Sequence, residues 1–359
     1  MITIIYPYRN REENRVKRSL DSLTQQNNHN FKVIFVDYGS VFNIAETIKK
    51  LTQNYDFVTY LYSYHCHQPW SRAKAINIGL KHVNTPYVFV ADVDMIFSHD
   101  FIEKLIHIQN PNQAVFFKVG FLDQKESVQI KPFFEYNISF FSQVGAKGLS
   151  LFPLKTLNEI HGFDEFLHFW GAEDEDVHNR LENAGYQSIF YDQEILMLHQ
   201  WHITYRKAES KELSQDLRLT NISRINFEHL LANKREKRTV VNLKQWGRSI
   251  SKIEHEVLEN SIMPYFVGNK KESIDHFLFV TLPNFKGEVL NVIFQKDDFQ
   301  DTLKYHVKKR LGKSVPRYYT LKEINDRVLL HLISFYNTHN YFYIIDNGLK
   351  SIQLKIKKD

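Results

Sequence analysis

The chain has 359 residues, 43% hydrophobic and 24% charged, with a formal net charge of +5. This length and balance exclude a small disulfide-stapled module and a highly charged disordered chain, and leave room for two domains. A single cysteine, Cys66, excludes an intrachain disulfide and a cysteine-cluster zinc site, and the mildly basic balance favours anionic partners without selecting one. Thr3–Tyr6 reads as a buried strand ended by Pro7, with the polar run Tyr8–Asn14 behind it. Val16, Leu20 and Leu23 are spaced as a helical face. Phe31–Val36 reads as a second strand, ending in Asp37-Tyr38-Gly39-Ser40, and Ile44, Ile48 and Leu51 space a second helix. Asp56–Leu61 is a third strand, Arg72–Leu80 a third helix and Tyr87–Ala91 a fourth strand that runs into Asp92 and Asp94. Strand–helix alternation of this kind predicts an α/β fold whose central sheet is mixed but mostly parallel and covered on both faces. Right-handed crossovers then bring Tyr8, Asp37 and Asp92 to one sheet edge.

Further on, Phe97–Asn110 reads as a helix, Val115–Leu122 and Ser127–Phe134 as strands, and Pro153–Ile160 as a short helix. Between them, Gly145, Lys147 and Gly148 mark a segment able to approach a ligand closely. Glu173–Asp176 opens a helix continued by Val177, Leu181 and Ala184, and Ile195–Leu198 is a strand that delivers His199, with His202 close behind. The character changes after residue 206. Lys207–Leu231 reads as a polar helix, and Lys234–Arg248 carries six basic residues against Glu236. Phe277–Val280 and Val289–Phe294 read as strands, Phe299–Leu311 and Leu321–Phe335 as helices, and Tyr341–Asp346 and Ser351–Ile356 as strands. The expected organisation is a first domain over 1–205, a basic helical linker or extension over 206–260, and a small C-terminal α+β domain over 261–359.

Asp92 and Asp94 share a face in an extended chain. They read as a divalent metal site at the open end of the sheet, serving a phosphate-bearing substrate, or as a strand entering a solvated turn. The first strand lacks a glycine-rich turn, and no phosphate-binding lysine loop follows, which argues against dehydrogenases, ATPases and GTPases. Arg9 and Arg11 stand there instead, suited to a diphosphate or to a solvated turn. In Phe169–Asp176 the helix dipole accounts for some of the acids. Trp170 beside a carboxylate suits a sugar acceptor, the ring stacking and the carboxylate taking a hydroxyl proton. Imidazoles at His199 and His202 with a carboxylate fit manganese or magnesium better than a zinc cluster. The basic stretches, including Lys304–Lys322 with seven basic and no acidic residues, suit a membrane surface, an anionic polymer or a solvated linker. They come with no recognised nucleic-acid module, so no nucleic-acid partner is expected.

Taken together, the motifs resemble the inverting family 2 glycosyltransferases of the nucleotide-diphospho-sugar A-type fold. Within them, the beta-1,4-galactosyltransferases and bacterial chondroitin-type polymerases are most similar, over roughly residues 1–205. Pro7-Tyr8-Arg9-Asn10-Arg11 is similar to a Pro-Phe-Arg-Asn-Arg segment, which implies that Arg9 and Arg11 contact the diphosphate while Pro7 and Tyr8 line the nucleoside. Asp37 falls at the acid that reads the uracil edge, although Tyr38 replaces the usual second aspartate. Trp70-Ser71-Arg72-Ala73-Lys74 implies stacking of Trp70 on uracil and a nucleotide contact for Arg72. In Asp92-Val93-Asp94 the resemblance makes Asp94 a metal ligand and has Asp92 either contact the ribose or hold the site. Trp170-Gly171-Ala172-Glu173-Asp174 is similar to Trp-Gly-Gly-Glu-Asp. It implies acceptor contacts for Trp170 and Glu173 and a catalytic base at Asp174. His199 matches a metal-binding histidine. The methionine ligand three residues earlier is Leu196 here, so Met197 or His202 are the additional candidates.

What the resemblance implies is an inverting, Mn2+-dependent enzyme, with Mg2+ as the alternative ion. It would transfer galactose or N-acetylgalactosamine from a UDP-sugar to a glycan or lipid-linked glycan acceptor in bacterial surface polysaccharide synthesis. The other reading is a catalytically weakened nucleotide-sugar-binding or assembly protein. The N-terminus shows no signal-peptide stretch, and a cytoplasmic home is expected, with peripheral contact at the inner membrane face through the basic segments.

Overall fold

The computed structural model describes residues 1–203, 212–261 and 263–358, and the chain divides into two compact units. The first comprises Met1–Cys66, Trp70–Lys207 and Ser223–Ser249. At its centre lies β1 (Ile2–Tyr8), buried at every position. Ile2, Ile4, Tyr6 and Tyr8 face one apolar cluster, which contains Val16, Leu20 and Leu23 of α1 (Glu13–Thr24). Ile5 faces the other, with Ala73 and Ile76 of α3 (Arg72–Leu80). A strand covered on both faces carries a near-continuous apolar run, which is why Ile2–Tyr6 shows little alternation.

In chain order the remaining elements of this unit are β2 (Phe31–Asp37), α2 (Phe42–Thr52), β3 (Val58–Tyr62), β4 (Tyr87–Val90), β5 (Met95–Phe97), α4 (Phe101–His107), β6 (Gln113–Phe117), β7 (Gly120–Phe121), β8 (Phe140–Phe141), β9 (Ser150–Pro153), α5 (Leu154–Glu159), α6 (Glu173–Asn183), β10 (Gln187–Tyr191), β11 (Met197–His199) and α7 (Ile222–Arg235). The main sheet has seven strands in the order β10-β6-β9-β4-β1-β2-β3. Only β9 runs antiparallel to its neighbours, so the mixed, mostly parallel α/β sheet is as expected. Tyr8 pairs with Asp37, so these two residues finish their strands at one level. A second sheet, β5-β11-β7-β8, sets Met95 opposite His199 and thereby brings Asp94 close to that histidine.

Three local readings change. Ser127–Phe134 is not a strand: single turns form at Glu126–Val128 and Phe133–Glu135. Pro132 removes a ladder donor, and the Glu126 carboxylate instead accepts from Asn137 N and Nδ2, both at 3.0 Å. The helix expected over Phe97–Asn110 is confined to Phe101–His107, because Met95–Phe97 pairs with β11. Phe277–Val280 is helical, a wide turn over Phe277–Thr281. Its period shows in the buried set Ile274, Phe277, Leu278 and Leu282, which follows helical spacing.

The second unit comprises His67–Pro69, Ala208–Ile222 and Ile250–Asp359. It contains α8 (Lys252–Glu259), β12 (Tyr265–Gly268), α9 (Lys271–His276), α10 (Leu282–Asn284), β13 (Leu290–Gln295), α11 (Leu303–Arg310), α12 (Leu321–Phe335), β14 (Asn340–Ile345) and β15 (Ser351–Lys357). The sheet order is β12-β13-β15-β14. Along β15, Ile352, Leu354 and Ile356 are buried in strict alternation, the pattern of a sheet covered on one face. Thr320 and Glu323 form a capping box that starts α12.

Of the helix expected over Lys207–Leu231, the start lies outside the described residues, residues 212–221 form turns and irregular chain instead, and α7 supplies the later part. Much of the basic stretch 206–260 folds into the first unit, where Asn242 Nδ2 donates to His161 O at 2.8 Å. Among the described residues, no helix is long and apolar enough to cross a membrane.

Candidate active site

Asp94 is buried just past the end of β4, and its Oδ1 has no hydrogen-bond partner. His199 Nε2 lies 3.7 Å from Oδ1 and His202 Nε2 lies 3.5 Å from Oδ2. These gaps exceed ordinary hydrogen bonds. The three side chains offer one oxygen and two nitrogens within 4.8 Å of one another. Phe121 stacks on the His199 ring at 4.8 Å and fixes its plane. Met197 is fully buried in the apolar core cluster that also holds Met95 and Phe97.

Asp92, two residues before Asp94, faces a second group. Arg72, at the start of α3, donates Nε to Asp92 Oδ1 at 2.9 Å and Nη2 to Gly148 O at 2.9 Å, and its Nη1 lies 3.8 Å from Glu173 Oε1. The Ser71 hydroxyl caps that helix by accepting from Lys74 N at 3.2 Å. Burial works against the Arg72 charge, but Asp92, Glu173 and Asp174 outweigh it and hold its pKa up. Burial also works against the Asp92 carboxylate, and Arg72 with the two histidines overcomes it, lowering that pKa. Glu173 behaves oppositely: burial, then the neighbouring Asp174, push its pKa up to about 7. Asp174 is half-buried; its Oδ1 accepts from Glu175 N at 2.9 Å, and a Cβ placed on Gly148 would lie 3.6 Å from its Oδ2. Gly148 thus lies beside both Asp174 and Arg72.

The chain leading into α6 is unusual. Phe169, Gly171 and Ala172 have φ of 67°, 90° and 76°, the left-handed region that costs a side-chain-bearing residue about 1 kcal/mol or more. Asn226 of α7, fully buried, holds this turn through its Nδ2, which donates to His168 O at 2.9 Å and Trp170 O at 3.1 Å. Trp170 itself is 36% exposed.

The third group lies where β1 and β2 end. Arg9 donates Nε to Gly39 O at 3.3 Å, also donates to His65 O, and sits over the Tyr38 ring at 5.4 Å; burial lowers its pKa. Asp37 is fully buried, accepting from Ser40 N at 2.7 Å and from the Tyr60 hydroxyl at 2.8 Å. Burial raises its pKa against those two bonds. Tyr38 stacks on His65 at 4.1 Å and meets Trp70 edge-on at 5.7 Å. Pro7 and Tyr8 are buried, the Tyr8 hydroxyl donating to Arg11 O at 2.8 Å, while the Arg11 side chain is exposed.

Residues 3–147 match the profile of glycosyl transferase family 2, and residues 128–202 match the N-terminal domain of galactosyltransferase. The first unit carries a family 2 glycosyltransferase domain. Arg9, Asp37, Arg72, Asp92 and Asp94 fall inside the family 2 match, and Trp170, Glu173, Asp174, His199 and His202 inside the galactosyltransferase match. Over 139 residues the chain is 27% identical to beta-1,4-galactosyltransferase 5 of Danio rerio, covering 38% of this chain and 32% of that protein. Among solved structures, GalNAc-T7 with UDP, GalNAc and Mn2+ is similar at TM-score 0.47 and 12% identity, over 65% of this chain and 48% of that chain. The mannosyltransferase PcManGT of Pyrobaculum calidifontis, with GDP-Man and Mn2+, is similar at TM-score 0.41 and 17% identity, over 55% and 56% of the two chains. The chain therefore spans about a third of the curated relative's length and about half of each of these structures.

The structure gathers the residues singled out from sequence into adjacent groups across both matched segments, and adds some not singled out. Asn226 is one, with His229 and Asn233 on the same helix. The three stand at i, i+3 and i+7, a polar stripe on one face of α7 that the sequence displays. His65 against Tyr38 is another, and no local pattern marks it.

Proposed function

We propose that this protein transfers galactose or N-acetylgalactosamine from a UDP-sugar to a hydroxyl of a glycan or lipid-linked glycan, inverting the anomeric centre, in the assembly of a bacterial surface polysaccharide. The observation that carries the reading is the juxtaposition, across Asp92-Val93-Asp94, of the carboxylate–imidazole group with the Arg72–Asp92–Glu173 group. The galactosyltransferase match over the second half of the site supports the sugar class.

The buried Asp94 Oδ1 with no hydrogen-bond partner, flanked by two imidazoles, fits a divalent cation of the manganese type, with magnesium the alternative. Asp94, His199 and His202 would hold it. A cation there supplies positive charge beside the donor's diphosphate. The chain's own groups do the rest. Exposed Arg11 offers a guanidinium to the diphosphate, while Arg9, Asp37, Tyr38 and Trp70 shape the nucleoside end. Arg72 holds Asp92 in place and sets its charge near Glu173, and Trp170 presents a flat apolar surface to the acceptor sugar. Asp174 accepts the proton of the acceptor hydroxyl. The hydroxyl oxygen bonds to the anomeric carbon from the face opposite the diphosphate, and the sugar–diphosphate bond breaks with its electron pair leaving on UDP.

Asp174→Asn tests this assignment. Transfer falls by about a thousandfold or more, while UDP affinity, measured by calorimetry, stays within about twofold. Full activity in that variant would remove Asp174 as the base.

A further inference from the structure

We propose that α11, in the second unit, docks the protein on an anionic lipid surface. Leu303, Val307 and Leu311 follow one another at four-residue steps and are 79%, 47% and 65% exposed. With about 100° between successive residues, they form one stripe along the helix and its last turn. Tyr305, about 160° from the middle of that stripe, is the buried side chain of the helix. It packs edge-on to Phe299 at 5.8 Å and to Tyr318 at 5.7 Å, and its backbone N–H is accepted by the capping Thr302 hydroxyl at 3.2 Å. The helix is therefore tied down on its inner side and turns three aliphatic side chains outward.

The charge around the stripe is of one sign. Lys304 and Lys308 border it on one side and Arg310 on the other, Lys313 and Arg317 follow, and residues 303–319 contain no acid. An exposed aliphatic stripe bordered by cations matches an interface where apolar chains lie beneath anionic headgroups. A polyanion such as heparin would use the cations and leave the aliphatic side chains without a role. Lipid burial uses both, and each lysine or arginine near the surface adds to the attraction, which salt weakens.

The test is co-sedimentation of the full chain with vesicles of phosphatidylcholine alone, and with vesicles in which about a third of the lipid is phosphatidylglycerol. Binding is expected only to the anionic vesicles, falling as salt rises. Replacing the stripe (Leu303→Ser, Val307→Ser, Leu311→Ser) weakens it by about tenfold or more with an unchanged melting temperature, and Lys304→Glu with Lys308→Glu does the same. If the triple variant melts lower, Leu303→Ser, at the most exposed position, carries the comparison. Failure of the wild type to bind anionic vesicles overturns the proposal. So does equal binding by the serine variant; heparin capture insensitive to the stripe would then mark a polyanion surface instead.

Discussion

Asp94 and Asp176 are both buried carboxylates faced by basic side chains in the first unit, yet their bonding differs in kind. Asp176 Oδ2 accepts from Arg180 Nε at 2.6 Å and Oδ1 from Asn233 Nδ2 at 2.9 Å. Asn233 also donates to Asp164, which takes His229 Nε2 at 2.8 Å, and Arg180 donates further to Ile160 O, Gly162 O and Thr239 O. Both Asp176 oxygens are matched, as a network that only holds α6 and α7 together requires. Asp94 has an oxygen without a partner and two imidazoles beyond hydrogen-bond reach. Buried polar atoms are ordinarily satisfied, and the unmatched Asp94 oxygen beside two imidazoles is what supports the proposed cation site. Residue types alone do not separate the two clusters; completeness of bonding does.

Breaking each cluster in turn has the largest expected effect. Asp176→Ala leaves the Arg180 charge buried and unpaired, and lowers unfolding stability by about 3–5 kcal/mol in denaturant titration. Asp94→Ala leaves the melting temperature unchanged or raised in metal-free buffer, because no hydrogen bond to its Oδ1 is lost. Equal destabilisation by both substitutions would erase the distinction.

Glu173 lies between these extremes, close to the site yet poorly matched, with Arg72 only at 3.8 Å. Its carboxyl is raised from 4.5 to about 7, so the folded chain binds the proton more tightly than the unfolded chain does. Its ionisation therefore costs stability progressively as pH rises from 4.5 to about 7, and the cost is constant above that. Glu173→Gln removes this fall: the variant gains on the order of 3 kcal/mol over wild type at the alkaline end and nothing below the unfolded pKa. Parallel stability–pH curves for the two proteins would contradict the environment described.

The smallest effect is at Ala172, with φ of 76° before α6. Ala172→Gly relieves left-handed strain and raises stability by about 1 kcal/mol, read as a small increase in melting temperature. No change would mean that the turn imposes no strain there.

Much of this architecture is legible in the sequence, because a buried parallel sheet writes itself as apolar runs separated by helical spacings. Val16, Leu20 and Leu23 are an example, and all three are buried. The paired acids after β4 are legible for the same reason, since polar groups at the end of such a run stand out. Short antiparallel strands are not: Ser150–Pro153 is too brief to show a period. Phe277–Val280 misleads because four successive apolar residues fit either period. At the site, Asp92, Asp94, Glu173, Asp174 and His199 are visible as residues, but which groups they join depends on long-range pairing. Arg72 reads from sequence as a nucleotide contact, and it bonds Asp92 and Gly148 in the fold. The strain at Phe169 and Ala172, and Asn226 holding that turn, depend on backbone angles and on a helix some fifty residues away, which no local pattern records.

The measurement that bears most directly on the central claim is UDP release from UDP-galactose and UDP-N-acetylgalactosamine, assayed after stringent chelation and again after manganese is restored. Turnover that disappears on chelation, returns with manganese in the wild type, and does not return in Asp94→Ala is the predicted result. Turnover indifferent to chelation would contradict the assignment of Asp94, His199 and His202 as a cation site, and no turnover with either donor under any condition would contradict the proposed reaction.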